Sequence, residues 1–220
     1  MDFNMYDHYT GIQMDKSSKA DLEDLFLLKQ ESWWGTHTTP FINREDQLHW
    51  YENLPKSTLV MNVKSEVVHH MNSNPVVTNV GVAIYSNIDP INRSCDLSGS
   101  IFKKYRSIGT GVNGAFLAGA DFGFEMLNLN RIQAEVLEYH LAAQKLEIDL
   151  IGFMVEGRRR EAVYKANAYY DSIMLGMTRS EWEISKIKRN VDTCCNNVNT
   201  LRFKRLSEQS YELFPNTTIV

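Results

Sequence analysis

Tyr105-Arg106-Ser107-Ile108-Gly109-Thr110-Gly111-Val112-Asn113-Gly114-Ala115-Phe116 is the stretch from which the fold is read. Its glycines lead into an apolar stripe of Val112, Ala115, Phe116, Gly119, Phe122, Gly123, Met126 and Leu127, spaced as one face of a helix. The segment ahead of it, residues 93–102, alternates as a strand does. Asp96, Ser98 and Ser100 fall on one side, Cys95, Leu97, Gly99 and Ile101 on the other. Strand, glycine loop and helix in that order make an anion site, because unpaired N–H groups at a helix start converge and the helix dipole favours negative charge there. Gly109 and Gly111 let a phosphate come close to the backbone. The same arrangement also serves as a plain structural turn.

Outward from this centre the pattern alternates between sheet and helix. Upstream, residues 10–14 read as a first strand. Ser18 with Asp21 three positions on reads as a helix cap, and Leu22, Leu25, Phe26 and Leu28 give that helix its apolar face up to Trp33-Trp34-Gly35. The two tryptophans, close to His37, either line a pocket or cap the core. Asn43 caps a second helix marked by Leu48, Tyr51 and Leu54. Residues 58–63 and 76–85 are strands joined by a hairpin loop, with Gly81 at a close approach and Asp89-Pro90 as a turn. Downstream, the striped helix is expected over 113–127, then a strand at 131–138, a helix at 141–150, and strands at 153–164 and 170–179. From Glu183 the character changes, so the expected division is a domain of 1–182 and an extension of 183–220 with no assigned element. No internal repeat is present. The order implies a mixed α/β fold around one central sheet.

Composition narrows the function. With 220 residues and 43% hydrophobic content the chain can bury a full core, and its net charge of -4 gives no general drive toward nucleic acid or anionic membrane. Neither is expected as a partner. The basic runs Arg158-Arg159-Arg160 and Lys186, Lys188, Arg189 read as solvated faces. Three cysteines, Cys95 and the adjacent Cys194 and Cys195, make no disulfide framework. That points to a reducing, cytoplasmic setting. His69-His70 lacks metal-ligand spacing and no metal is expected. No apolar run is long enough to span a membrane, and the first residues lack the basic start and apolar run of a secretory signal.

Five short motifs stand in one order along residues 10–182. They are Arg106-Ser107-Ile108-Gly109-Thr110-Gly111; Leu127-Asn128-Leu129-Asn130-Arg131-Ile132; Ala134-Glu135-Val136-Leu137-Glu138; Gly152-Phe153 with Glu156-Gly157 and Arg160; and Tyr170-Asp171 with Arg179-Ser180-Glu181-Trp182. In this order and at these intervals the chain resembles the GNAT superfamily of acetyl-CoA-dependent N-acetyltransferases, in particular its ribosomal-protein-alanine and amino-sugar branch. The resemblance implies a single mixed α/β domain whose central, mostly antiparallel sheet has a splayed strand pair and flanking helices. It implies acetyl-CoA as cosubstrate. Ile101 and Phe102 would lie on the strand that carries it, Arg106, Ser107, Ile108, Gly109, Thr110, Gly111 and Val112 in the loop that holds its pyrophosphate, and His140 where the family often has a cofactor-touching asparagine. Many members also carry a tyrosine acid in the following helix. Here Glu147 and Ile148 stand near that place, and Leu150-Ile151 ahead of Gly152 points to one extra residue.

The implied chemistry is direct transfer of acetyl from a thioester to an amine. A thiol pKa near 8.5 makes thiolate release at pH 7 cost only about 2 kcal/mol, so a missing acid is tolerable. Deprotonating a lysine-like amine costs roughly 4.6 kcal/mol, an α-amine about 1. A site with a modest base therefore suits a low-pKa amine. Asp96, on the cofactor strand, is the expected base, with Glu135 second. Trp33, Trp34, Tyr169 and Tyr170 are the expected acceptor contacts. The acceptor is expected to be a small-molecule amine, such as an aminodeoxy sugar or its nucleotide. A protein N-terminus and a non-catalytic acyl-CoA-binding module remain open, as does a homodimer. Gly111→Glu would set a negative side chain where the pyrophosphate belongs. Calorimetry is expected to show that variant folded, with CoA affinity reduced at least about tenfold.

Overall fold

The computed structural model describes residues 4–7, 12–37, 43–67, 74, 76–106 and 109–196, with the backbone alone for 4–7, 67, 109–113 and 190–196. Eight strands form one sheet in the order β1-β2-β3-β4-β5-β6-β8-β7. They are β1 (Asn4–Asp7), β2 (Ile12–Lys16), β3 (Leu59–Val67), β4 (Val76–Asp89), β5 (Ser94–Ile101), β6 (Arg131–Leu137), β7 (Met154–Lys165) and β8 (Ala168–Thr178). Every neighbouring pair is antiparallel except β5 and β6. A parallel pair needs a crossover, and α3 (Gly109–Glu125) supplies it. β5 and β6 pair through three rows only, Ser94–Arg131, Cys95–Ile132 and Asp96–Gln133. Beyond them β5 stays with β4 as far as Ile101, while β6 stays with β8 as far as Leu137. This is the mixed sheet with a splayed strand pair that the sequence implied.

The remaining helices are α1 (Leu22–Ser32), α2 (Arg44–Glu52), α4 (Leu141–Lys145) and α5 (Arg179–Asn196). The caps at the start of the first two are those read from sequence. Ser18 and Asp21 make a reciprocal capping box on the 3-10 turn that leads into α1, and the Asn43 side chain accepts from the Asp46 N–H at 2.7 Å. Elsewhere the elements depart from expectation for physical reasons. The first strand is the second of a hairpin, because β1 pairs with β2 along its length. In α2 the buried position is Gln47, with Trp50 and Leu54 packed on the core, so Leu48 lies on the exposed side of the face. α3 starts at Gly109, four residues before the expected 113, so both loop glycines belong to its first turn.

The largest difference is at the C-terminal end, where α5 runs through residues left unassigned by sequence. Trp182 of α5 stacks on Phe124 with ring centroids 5.1 Å apart, and its Nε1 donates to Asp121 at 2.6 Å. Arg189 reaches the same carboxylate at 2.9 Å. This contact buries Phe124, which lies outside the predicted stripe of α3; Leu117, Ala118 and Ala120 are buried as well. The predicted helix at 141–150 is also split. α4 gives way to a π-helical turn over Leu146–Ile151, closed by Gly152 at φ +100°. The carbonyl of Glu147 accepts from both Gly152 and Phe153. One residue more than an α-turn holds is thus absorbed without a loop.

Gly81 of β4 faces the part of β5 that borders the splay. A Cβ there would stand 2.3 Å from the Ser100 carbonyl oxygen and 2.6 Å from Ile101 Cδ1. The carbonyl belongs to the sheet ladder and cannot swing away. Gly81→Ala is therefore expected to lower unfolding free energy by roughly 1–3 kcal/mol, measured as a lower urea midpoint at unchanged m-value.

Candidate active site

The gap between β5 and β6 is the candidate site. In an antiparallel pair alternate residues turn their N–H and C=O toward the partner and the others turn away. From Leu97 to Ile101, β5 bonds β4 on one side and opens onto the gap on the other. On the α3 face the gap is a cleft of about 430 Å³, walled by Leu97, Gly99, Ile101, Phe116, Glu147 and Phe153 among others. Its walls are almost wholly apolar. Glu147 is the only ionisable side chain among the described residues that line it. The Glu147 Oε2 is buried and has no hydrogen-bond partner among the described residues, and burial pushes the carboxyl up to about 8.

The residues expected to bind the pyrophosphate stand between the end of β5 and the start of α3. β5 ends at Ile101, and the Arg106 Nε donates to the Ile101 carbonyl at 2.9 Å. The backbone of Gly109 to Val112 forms the first turn of α3, a 17-residue helix whose initial N–H groups have no intrahelical acceptor. Ser107 and Ile108 lie outside the described residues, and Thr110 and Val112 are described by backbone alone. His140 caps α4, and its ring lies against Gly35. Burial, then the positive charge of Arg106, holds His140 below its ordinary pKa. Phe102 turns away from the cleft and packs edge-on to Tyr105 at 6.4 Å.

The opposite face of β5 carries Asp96, Ser98 and Ser100, as the alternation predicted. Two hollows meet at Ser98. One, about 600 Å³, lies between α1, α2 and the sheet and includes Lys29, Ser32, Gln47, Trp50 and Ser100. The other, about 1020 Å³, extends over β6 and β8 past His37, Asp96, Gln133, Glu135, Glu156 and Arg159. Asp96 accepts from Asn87 Nδ2 at 2.6 Å and Gln133 Nε2 at 3.1 Å. Glu135 pairs with Arg159 at 2.5 Å and accepts from Ser172 Oγ at 3.0 Å. Because the Ser172 hydroxyl donates to Glu135, its 2.8 Å contact with His37 Nε2 makes that nitrogen the donor. Burial first, with the charges of Lys165 and Arg159, lowers the His37 pKa against the opposing pull of Glu135.

The predicted aromatic contacts fall elsewhere. Trp34, Tyr139 and Tyr170 form one cluster, with Trp34–Tyr139 centroids at 4.8 Å and Tyr139–Tyr170 at 4.7 Å. Lys165 donates to the Trp33 carbonyl and lies over the Trp33 ring. Tyr169 pairs with Tyr164 on the exposed side of the β7–β8 hairpin. None of the four is among the residues that line the cleft or the two hollows. The basic run is not simply solvated either. Arg158 pairs with Glu138 and Asp171, and Arg159 with Glu135. Arg131, on the same strand as Glu135, pairs with Glu156. His37, Lys29, Gln47 and Trp50 were not among the predicted site residues. Nothing in their local pattern marks them, since distant strands bring them together.

No protein-family model matches the chain. It is similar to two curated proteins of Bacillus subtilis (strain 168). With the SPbeta prophage-derived uncharacterized N-acetyltransferase YokL it is 31% identical over 86 residues, which cover 39% of this chain and 48% of YokL. With YdaF, named as a candidate ribosomal N-acetyltransferase, it is 26% identical over 106 residues, covering 48% of this chain and 57% of YdaF. The chain thus spans about half the length of the curated relatives it matches. Among solved structures it is similar to the spermidine N-acetyltransferase from Vibrio cholerae in complex with CoA and spermine. The TM-score is 0.68 at 17% identity, over 79% of this chain and 99% of the other. The likeness to that structure is one of fold, and it gives the chain the N-acetyltransferase fold that its motifs implied.

The buried carboxyl makes stability depend on pH. Glu147 is near 8 when folded and near 4.5 when unfolded, so the folded state holds an extra proton between those values. Its contribution is intact below about 4.5 and is lost as pH rises through 8. Urea unfolding at pH 5 and pH 8 is expected to show wild type losing roughly 3 kcal/mol more than Glu147→Gln across that interval.

Proposed function

We propose that this chain transfers an acetyl group from acetyl-CoA to a primary amine. The observation that carries the reading is the three-row pairing of β5 with β6, which opens an apolar cleft beside the N-terminus of α3. The likeness to N-acetyltransferases in sequence and fold supports it. In this reading the pyrophosphate lies at the first turn of α3 near Arg106. The pantetheine arm takes the place of the missing strand neighbour along β5, and the thioester reaches Leu97 to Gly99. Backbone N–H groups of β5 polarise its carbonyl. The amine enters from the opposite face past Ser98. Asp96 takes its proton directly or through water, with Glu135 and His37 behind it.

The acceptor follows from the charge of the two hollows. The one over β6 offers Asp96 to a cationic amine, Glu135 and Glu156 being paired with Arg159 and Arg131, while the one between α1 and α2 offers Lys29 and neutral polar groups with no carboxylate among its described lining residues. A molecule with an amine at one end and hydroxyls or a phosphate at the other fits both, as an aminodeoxy sugar or its nucleotide does. A polyamine, cationic at both ends, meets Lys29. A protein N-terminus is the second reading, favoured by the breadth of the hollow over β6 and by Asp96 within it.

Thiol release from acetyl-CoA, measured against amino sugars, their phosphates, polyamines and peptides, tests both levels. Phosphorylated amino sugars are expected to react fastest, and Lys29→Ala to raise their KM about tenfold. Fastest turnover of spermidine or of peptides would replace the acceptor assignment. CoA binding without turnover of any amine would replace the enzyme by a binding module.

A further inference from the structure

Thiolate release is tolerable at neutral pH, but an acid beside the sulfur would lower its cost further. Asp96 and Glu135 lie on the other face of β5 and β6, held by Asn87, Gln133, Arg159 and Ser172. On the cofactor face the described lining of the cleft offers one ionisable group. We propose that the Glu147 carboxyl donates the proton taken up by the CoA sulfur as the thioester breaks. This rests on the acetyl-transfer reading given above.

Three observations converge on it. Glu147 lines the cleft together with Leu97, Ser98 and Gly99, the segment where the thioester would lie. Its Oε2 is buried and unpartnered among the described residues, which is costly for a carboxyl and is accounted for by a ligand atom in the cleft. It also sits in the π-helical turn Leu146–Ile151, a one-residue departure that resets which side chains face inward. Burial alone keeps the acid protonated at neutral pH, close to the value near 8.5 of a thiol, so the proton can move with little driving force in either direction.

The other charged groups around this turn are engaged elsewhere. On α3, Asp121 is bound by Trp182 and Arg189, and Glu125 by Lys186 of α5. Under the sheet the Tyr85 hydroxyl donates to the Gly119 carbonyl, and Cys95 is buried. Asp149 is raised by its own burial and faces Lys145.

The step balances. The amine nitrogen bonds to the acetyl carbon, the carbon–sulfur bond breaks, and its electron pair leaves on sulfur. Sulfur takes the Glu147 proton, while the proton lost by the amine goes to the base on the opposite face. Solvent reprotonates Glu147 once CoA leaves.

The test follows the thiol of bound CoA through its thiolate absorbance as pH rises, in wild type, Glu147→Gln and Glu147→Ala, with CoA affinity measured by calorimetry. In wild type the thiol and the carboxyl are expected to titrate as a coupled pair in two steps. Either variant should show one step and bind CoA within about threefold of wild type. Identical titrations in all three overturn the proposal, whether or not the protein turns over an amine. With a reactive amine in hand, Glu147→Gln is expected to lower kcat about 30- to 100-fold at unchanged KM, near the low end for a general acid. It should also abolish the alkaline limb of the wild-type profile. Wild-type kcat and an unchanged limb overturn it. Absence of turnover in wild type sinks the acetyl-transfer reading, and the thiol titration still decides whether Glu147 stands at the sulfur.

Discussion

The parting of β5 from β6 after Asp96–Gln133 is the constraint on which the rest of the molecule depends. Two strands that separate leave backbone groups without a partner, a state the interior does not tolerate for long. Each strand is therefore secured from its outer side, β5 by β4 through Ile101 and β6 by β8 through Leu137. The outer pairing needs close backbone approach, which is why Gly81 has no room for a Cβ. In the proposed reading the inner edges take a ligand with amide groups of its own.

α3 and the π turn roof that opening, and α5 holds the roof down. The Asp121 carboxylate gathers Trp182 and Arg189 at one point, both nearly buried. Ionic contacts of this kind resist separation mainly because breaking one leaves an uncompensated charge inside. The molecule is also divided electrically by its sheet. The α3 face is apolar apart from one neutral carboxyl, whereas the opposite face is lined with ionised pairs. In the proposed reaction a thioester and an amine make opposite demands on their surroundings, and the two faces of β5 differ in the same sense.

Much of this was legible in the sequence because it is local. Alternation on β5 assigned Asp96, Ser98 and Ser100 to one face, and side-chain period alone does that. The caps at Ser18 and Asn43 were readable because a cap lies within three residues of the groups it satisfies. The extra residue before Gly152 was visible as a spacing anomaly, and its structural form is the π turn. What failed was non-local. α5 was missed because its stability comes from α3, sixty residues earlier. Trp33 and Trp34 looked like pocket walls because exposed tryptophan near a glycine invites that reading, yet they pin the β7–β8 hairpin through Lys165, Tyr139 and Tyr170. Arg159 meets Glu135 across β8, a contact between distant segments that local spacing does not reveal.

The π turn has a further consequence at the level of descent. An α-helix and a π turn differ by a single inserted residue, so one codon separates a version of this helix with Glu147 facing the cleft from one without it. Removing that residue would leave α4, Gly152 and β7 in place, while every side chain between them rotated by about 100°. Such a segment can exchange the chemistry of its lining without rebuilding the protein around it. Length variation among relatives at this point would record changes of chemistry, where elsewhere in the chain it would record only the drift of surface loops.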